Sequence, residues 1–331
     1  MPPYVCVDMK AIRLAALSLL LPCLTADQTC AWNESGHMTI AELAWRKLSN
    51  NERNAITTLL RQHPHYAFLL ATNIPKKALD TNEWIFLRAA TWPDMVRPPR
   101  RGAPPKPAII TNHHRGDWHF TNAPYVAPAD LATTHPPAQG EGRILEAIAA
   151  NEALVKNQTK PAADRAVALC WLLHLYGDLH QPLHCVARFS PEFPNGDRGG
   201  NGEAILPRSA PVVLHAFWDD TLGGGESPHF IEHTADTIAS DPAHTTARLQ
   251  TDLAHTTVPQ WAQESIDEAE TFAYLDGNLA HAKIPPGGLD DLSPAAVPAL
   301  NTGYEATAET IARRRAALAG RRLGTRLKAL F

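Results

Sequence analysis

Two short segments repeat one pattern. In His174-Leu175-Tyr176-Gly177-Asp178 a histidine precedes an aspartate by four residues, and Leu214-His215-Ala216-Phe217-Trp218-Asp219 does the same. On a helix, positions i and i+4 share a face and lie about 6 Å apart along the axis, so each pair can aim an imidazole and a carboxylate at one region. Zinc accepts both groups, and mixed His/Asp sets commonly keep a position open for water, which indicates a catalytic metal rather than a structural one. His184, in Gln181-Pro182-Leu183-His184, adds a donor that the helix-breaking Pro182 turns back toward the first pair. Most of the 16 histidines must be ordinary core or surface residues. Two matched pairs carry far more weight than any one of them.

These donors need elements to hold them. Ala41, Ala44, Trp45 and Leu48 keep helical spacing, and Ser49 with Glu52 is a capping box that opens a second helix through Leu60. Ile144, Leu145, Ile148 and Val155 mark another helix. Thr159 and Pro161 read as the N-cap and first position of the helix that carries Val167, Leu169, Leu173 and His174. Further helices are expected near 213–222, 258–275 and 305–328. Strand patterns are few and short, and no alternation of strands and helices supports an α/β sheet. Two irregular stretches, 97–107 and 187–211, are long enough to be functional loops or mobile ones. The expectation is an all-α protein with one mainly helical domain and long loops around a metal cleft.

Composition sets limits. A chain of 331 residues that is 44% hydrophobic and 19% charged can bury a sizeable core in one domain. Its formal net charge of -4 argues against broad electrostatic binding of polyanions, so any attraction for phosphate must be local. The start reads as a signal peptide over 1–31. Lys10 and Arg13 are followed by the apolar run Leu14 to Leu21, too short to span a membrane, and Thr29 and Ala31 form a small-residue cleavage site. Cleavage there would leave a mature domain, 32–331, beginning at Trp32, secreted or periplasmic and without a stable membrane anchor. It would retain only Cys170 and Cys185 of the five cysteines. One lies within a helix and the other beyond its end, roughly 15 Å or more apart by helical rise, so free buried thiols are expected.

With Trp32-Asn33-Glu34-Ser35-Gly36-His37, Trp92-Pro93-Asp94, Trp118-His119-Phe120, the 174–184 block, Gly199-Gly200-Asn201 and the 215–219 pair in order, nearly the whole mature chain resembles the zinc-dependent single-strand nucleases of the S1/P1 type, which share a helical fold with phospholipase C. The resemblance implies three zinc ions per chain. One would be held by Asp94, His119, His174 and Asp178. A second would be held by His184, His215 and Asp219. The third would take His37, a shared Asp178, and the α-amine and carbonyl of Trp32. An α-amine has a pKa of about 7.7 to 8.0 and yields its proton to a cation readily, which would couple maturation to metal loading.

The resemblance also implies the chemistry. Asp178 would hold the ion pair whose bound water attacks phosphorus, and Arg97 would contact the phosphoryl oxygens. Phe120 would stack a nucleobase, Asn122 would bond its edge where better-known relatives carry an aspartate, and Asn201 would line the cleft. The implied substrates are single-stranded RNA and DNA and nucleotides, cut to 5'-phosphate products, with 3'-nucleotidase activity a further expectation and a monomer as the working state. Two rivals stand beside this reading. A phospholipase C of the same fold is disfavoured by the short spacing of Trp32 and His37 and by Asp219 where phospholipases have glutamate. A non-catalytic exported zinc-binding protein would present runs of exposed histidines, and only His113-His114 offers one. Asn33-Glu34-Ser35 and Asn157-Gln158-Thr159 match the glycosylation pattern, and the arginines 313–315, 321, 322 and 326 read as a solvated basic face and Arg100 and Arg101 as surface.

Overall fold

The computed structural model describes residues 32–76, 80–99 and 103–331. The expected leader over 1–31 with its three cysteines, and Arg100 and Arg101, lie outside the described residues. Helix accounts for 56% of the described residues and strand for 5%, the mainly helical domain expected. The α-helices are α1 (Glu34–Trp45), α2 (Asn50–Leu60), α3 (Thr81–Met95), α4 (Ala108–Thr111), α5 (Ile144–Lys156), α6 (Ala162–Asp178), α7 (Leu214–Asp219), α8 (Pro228–Ser240), α9 (Gln250–Leu253), α10 (Val258–Glu268) and α11 (Tyr304–Leu330).

α6 is the axis of the bundle. From Ala168 to Asp178 every side chain is buried, the signature of a helix surrounded on all sides. α3 and α5 pack on it, and α1 fits between α3, α8 and α11. Gly320 of α11 lets that last helix lie directly on α1, since a Cβ there would come within 2.5 Å of the Leu43 Cβ. The capping box that opens α2 is formed in both directions: Ser49 N donates to Glu52 Oε2 at 2.6 Å and Glu52 N to Ser49 Oγ at 3.4 Å.

Several expectations are corrected. α6 starts at Ala162 with Pro161 as its N-cap, while the hydroxyl of Thr159 bonds Asn157 instead of capping the helix. α3 and α8 were not foreseen. Pro93 inside α3 disguises its last turn, and α8 opens on Ser227, whose Oγ accepts from Phe230 N, and Pro228. The arginines of α11 are not all solvated: Arg315 and Arg322 are buried and share Glu264, with Nη to Oε distances of 2.7 Å. Arg313 alone of the first three keeps to a surface pair, with Glu309. Asn33 is no free acceptor for sugar, because its Nδ2 donates to Asp220 Oδ1 and Gly223 O. Cys170 and Cys185 are free and buried, as anticipated.

The few strands tie loops together. β1 (Ala123–Val126) runs parallel to β2 (Val186–Phe189), and β3 (Glu203–Ile205) lies antiparallel between β4 (Val212–Val213) and β5 (Ala282–Lys283). The stretch 187–211 is thus a held structure. Its anchor is Asp197, which accepts from the backbone N–H of Arg188, Gly199 and Gly200 and from the hydroxyl of Tyr274.

Candidate metal centre

Eight side chains from separate parts of the sequence meet in one buried cleft. α1 brings His37 in its second turn. α3 carries Asp94 in its last turn, a 3-10 turn over Gly116–Trp118 leads to His119, and α6 supplies His174 and Asp178. His184 closes the 3-10 turn Pro182–His184, and α7 contributes His215 and Asp219. Three sets emerge whose ligand atoms lie within 4.8 Å of one another: His37, His174 and Asp178; Asp94, His119 and His174; and His184, His215 and Asp219. Every member of the expected ligand group that carries an ionisable side chain is therefore gathered, with His174 shared between two sets.

Asp178 stands at the middle. Its Oδ1 lies 3.3 Å from His37 Nε2, and its Oδ2 lies 2.9 Å from His119 Nδ1 and 3.2 Å from His174 Nε2. One carboxylate thus faces two sides with separate oxygens, the geometry of a bridge. Asp94 Oδ1 pairs with Arg97 Nε at 2.7 Å, so Arg97 is carried to the centre by the end of α3.

Backbone carbonyls set the histidine tautomers. His174 Nδ1 donates to Ala90 O at 2.8 Å, His184 Nδ1 to His119 O at 2.6 Å, and His215 Nδ1 to Gly199 O at 2.6 Å. Each Nε2 then turns a lone pair inward, the arrangement that fixes metal-binding imidazoles. Without a cation the result is unfavourable: the Nε2 atoms of His184 and His215 face each other at 3.0 Å. Both nitrogens of His37 and Oδ1 of Asp178 are also buried without a hydrogen-bond partner among the described residues. Buried polar groups without partners are costly unless something else binds them, and a divalent cation matches the lone pairs that this set offers.

Electrostatics favour neutral rings at His37, His119, His184 and His215, and the opposite at His174. Burial presses His37 down to about 4, with His174 adding to the effect. His119 and His215 fall to about 3, through burial and then through Arg97 and His184 respectively. Burial would lower His174 too, but Asp178 and Asp94 outweigh it and raise its pKa. Burial alone would lift Asp178, yet the surrounding imidazoles hold it well below the carboxylate range. Asp219 moves the other way, driven well up by burial against the hydrogen bond from Gln181. Neutral rings with inward lone pairs are what a metal requires.

Trp32 is fully buried beside this cluster, its Nε1 donating to Gly177 O at 3.0 Å, and Asn33 N donates to Asp219 O at 3.2 Å. Glycine is needed at the crossing of α1 and α6. A Cβ on Gly177 would meet His37 Nδ1 at 2.8 Å, and one on Gly36 would meet the Trp32 Cβ at 2.9 Å.

Of the expected substrate residues, Phe120 follows His119 and is half-buried; its ring lies against Gly142, where a Cβ would approach Phe120 Cδ2 at 2.5 Å. Asn122 adopts a positive φ of 42°, a conformation asparagine tolerates. Asn201 is half-buried, and its Nδ2 donates to Arg198 O. Two supporting residues escaped the sequence reading. Gln181 Nε2 donates to Asp219 Oδ1 at 2.7 Å while its Oε1 accepts from Leu183 N, and Asp197 holds the glycine turn whose carbonyl orients His215. Gln181 sits inside the conspicuous 174–184 block, so its position was visible although its contacts were not.

A family model described as S1/P1 Nuclease matches residues 32–331. Among curated proteins the chain is similar to Nuclease S1 of Aspergillus oryzae, 21% identical over 213 residues that cover 64% of this chain and 60% of that protein. It is also similar to Endonuclease 3 of Arabidopsis thaliana, 22% identical over 217 residues covering 64% and 61%. The alignments span less than two thirds of either relative.

Proposed function

We infer, from the premise that this chain belongs to the S1/P1 nuclease family, that it is a zinc-dependent hydrolase that cuts single-stranded RNA and DNA. The reading includes products with 5'-phosphate ends and removal of the 3'-phosphate from nucleotides. The observation that carries it is the convergence of eight histidine and aspartate side chains, with tautomers preset by three backbone carbonyls, on one buried cleft.

In this proposal Asp94, His119, His174 and Asp178 hold one ion. His184, His215 and Asp219 hold another, and His37, Asp178 and the amine and carbonyl of Trp32 hold a third. Bound there, zinc supplies Lewis acidity and lowers the pKa of a water toward about 7. The chain's own residues do the rest. Asp178 keeps two binding positions at a fixed separation by offering one oxygen to each. Arg97, steadied by Asp94, faces the phosphoryl oxygens with a planar fork suited to charge that grows in the transition state. Phe120 stacks a base, which a duplex releases only at a cost of a few kcal/mol, so single strands are preferred. Asn122 and Asn201 line the same cleft. Among the described residues no helix is long and apolar enough to cross a membrane. We further take the enzyme to be exported, with a leader over 1–31 removed, and to work as a monomer.

Metal analysis of the chain beginning at Trp32, joined to end-group analysis of its products from single-stranded DNA and RNA, tests the reading. Three zinc equivalents and 5'-phosphate ends are expected. Turnover of phosphatidylcholine with none of either nucleic acid would replace it by the phospholipase alternative, and zinc binding with no turnover would replace it by the binding protein.

A further inference from the structure

Outside the metal centre most histidines have a partner or a place in the core. His65 bonds Trp92 through Nδ1 and Ile109 O through Nε2, and His113 packs its ring edge against His65 and Trp92. His180 and His244 are buried and bonded to backbone carbonyls, while His255 and His281 meet Glu264 and Glu192. His229 and His233 differ. Both are exposed on α8, and neither imidazole has a hydrogen-bond or ion-pair partner among the described residues. Each has the other instead: the rings stack with centroids 6.3 Å apart and planes 24° from parallel.

The helix fixes this pairing. α8 opens on the Ser227 cap and Pro228, and it buries Ile231, Ala235 and Ile238 toward its neighbours α1 and α11. Positions 229 and 233 fall on the opposite face, one turn apart, where residues i and i+4 are neighbours. Two imidazoles at that spacing on one helical face are a zinc-binding arrangement. Glu232 lies between them in sequence but not in space, for it lines a small cavity with Glu42 and Glu83 on the inner side of α8. The outer face therefore offers nitrogen donors alone. Imidazole pairs select zinc, copper and nickel over magnesium and calcium, which prefer oxygen.

We propose that His229 and His233 bind one divalent transition-metal ion on the surface of α8, apart from the buried centre. The ion would tie the start of this helix to its second turn. That end of α8 matters to the centre, because the turn leading into it supplies Gly223 O, which accepts from Asn33 Nδ2 and Ser35 Oγ at the beginning of α1.

The test uses copper(II) held by iminodiacetate, added to zinc-loaded protein that begins at Trp32. The chelator occupies part of the copper shell, so two exposed imidazoles can take the complex while a buried set of three side chains cannot close around it. One equivalent should bind per chain in calorimetric titration, with a copper resonance spectrum showing two nitrogen donors from protein, and Tm should rise. His229→Gln and His233→Gln should each weaken binding by about 100-fold, because the second imidazole acts as an intramolecular partner of the first. The double variant should bind no worse than either, and all three should keep the Tm of the unaltered protein when no copper is present. His135→Gln, which removes an exposed histidine from a loop, should leave binding unaltered. Binding that survives both single substitutions, that responds to only one of them, or that falls equally in His135→Gln overturns the site. None of these readouts depends on turnover, so the nuclease reading stands or falls separately.

Discussion

His37 and His174 stack face to face, with ring centroids 3.8 Å apart and planes 16° from parallel, and both address Asp178, from different oxygens. Two protonated imidazoles cannot share that spacing in a buried site. The pair works only with at least one ring neutral and its lone pair committed elsewhere, which ties the centre of the fold to cation binding. Asp178 is the hinge of this arrangement. Asp178→Asn keeps its shape and removes the bridging charge, so activity on single strands should fall by more than about 100-fold, beyond the usual loss of an outer-shell partner. Zinc content should drop alongside, measured by elemental analysis. A fully loaded and active variant would remove Asp178 from the centre.

The proposed start of the mature chain at Trp32 offers a second check. Trp32 is buried and its indole is fixed to Gly177, so the backbone there is held beside His37. Protein that begins at Trp32 should bind one more zinc equivalent than protein carrying two extra residues or an acetylated amine. Equal stoichiometry in all three forms would exclude the amine as a ligand.

Gly177→Ala separates packing from propensity. Alanine is favoured over glycine within a helix by about 1 kcal/mol. Here its Cβ would press on His37 Nδ1, a ring held from behind by His174. The variant should therefore lose metal affinity and fail to gain thermal stability. A rise in Tm with unchanged zinc affinity would show that the crossing has room to spare.

Glu83 of α3 predicts an alkaline limit on stability. Burial, then the hydrogen bond and charge of Glu42 on α1, push its pKa from the ordinary 4.5 up to about 8. The folded state thus keeps a proton that the unfolded chain releases above 4.5, so stability should decline as pH rises from about 5 through 8. Glu83→Gln should flatten that decline in urea unfolding series, and a wild-type profile without slope in this window would refute the shared proton.

Glu264 predicts the acid side. It joins Arg315 and Arg322, both nearly without exposure, and burial is outweighed by these arginines, which hold its carboxyl down to about 2. A lowered carboxylate pKa contributes stability above 4.5 that is lost as pH falls toward 2. Glu264→Gln would leave the buried Arg322 without a carboxylate and Arg315 with Glu268 alone, and should cost about 3 kcal/mol at neutral pH, the lower end for breaking a buried pair. A loss under 1 kcal/mol in denaturant titration would contradict it.

Much of the centre was legible because metal ligands obey spacing rules. His174 with Asp178 and His215 with Asp219 can meet only on helices, and helices hold both pairs. What stayed hidden depends on tertiary context. α3 escaped because Pro93 interrupts the expected pattern, while its burial between α1 and α6 sustains the helix all the same. The arginines of α11 look solvated by composition, yet Glu264 lies across from them and draws Arg315 and Arg322 inward. Gln181 and Asp197 carry no pattern at all. Their roles arise from atoms brought near by folding, a carboxylate of α7 in one case and the amides of a glycine turn in the other.

The seating of α11 against α1 also bears on the order of biosynthesis. Translation delivers the helix carrying His37 well before the 304–330 segment, so the face of α1 formed by Ile40, Leu43 and Ala44 lacks its α11 neighbour while the polypeptide between them is being made. Contacts between regions so distant along the sequence form late in folding. A chain that has not yet reached α11 therefore lacks the surface on which this face of α1 is seated.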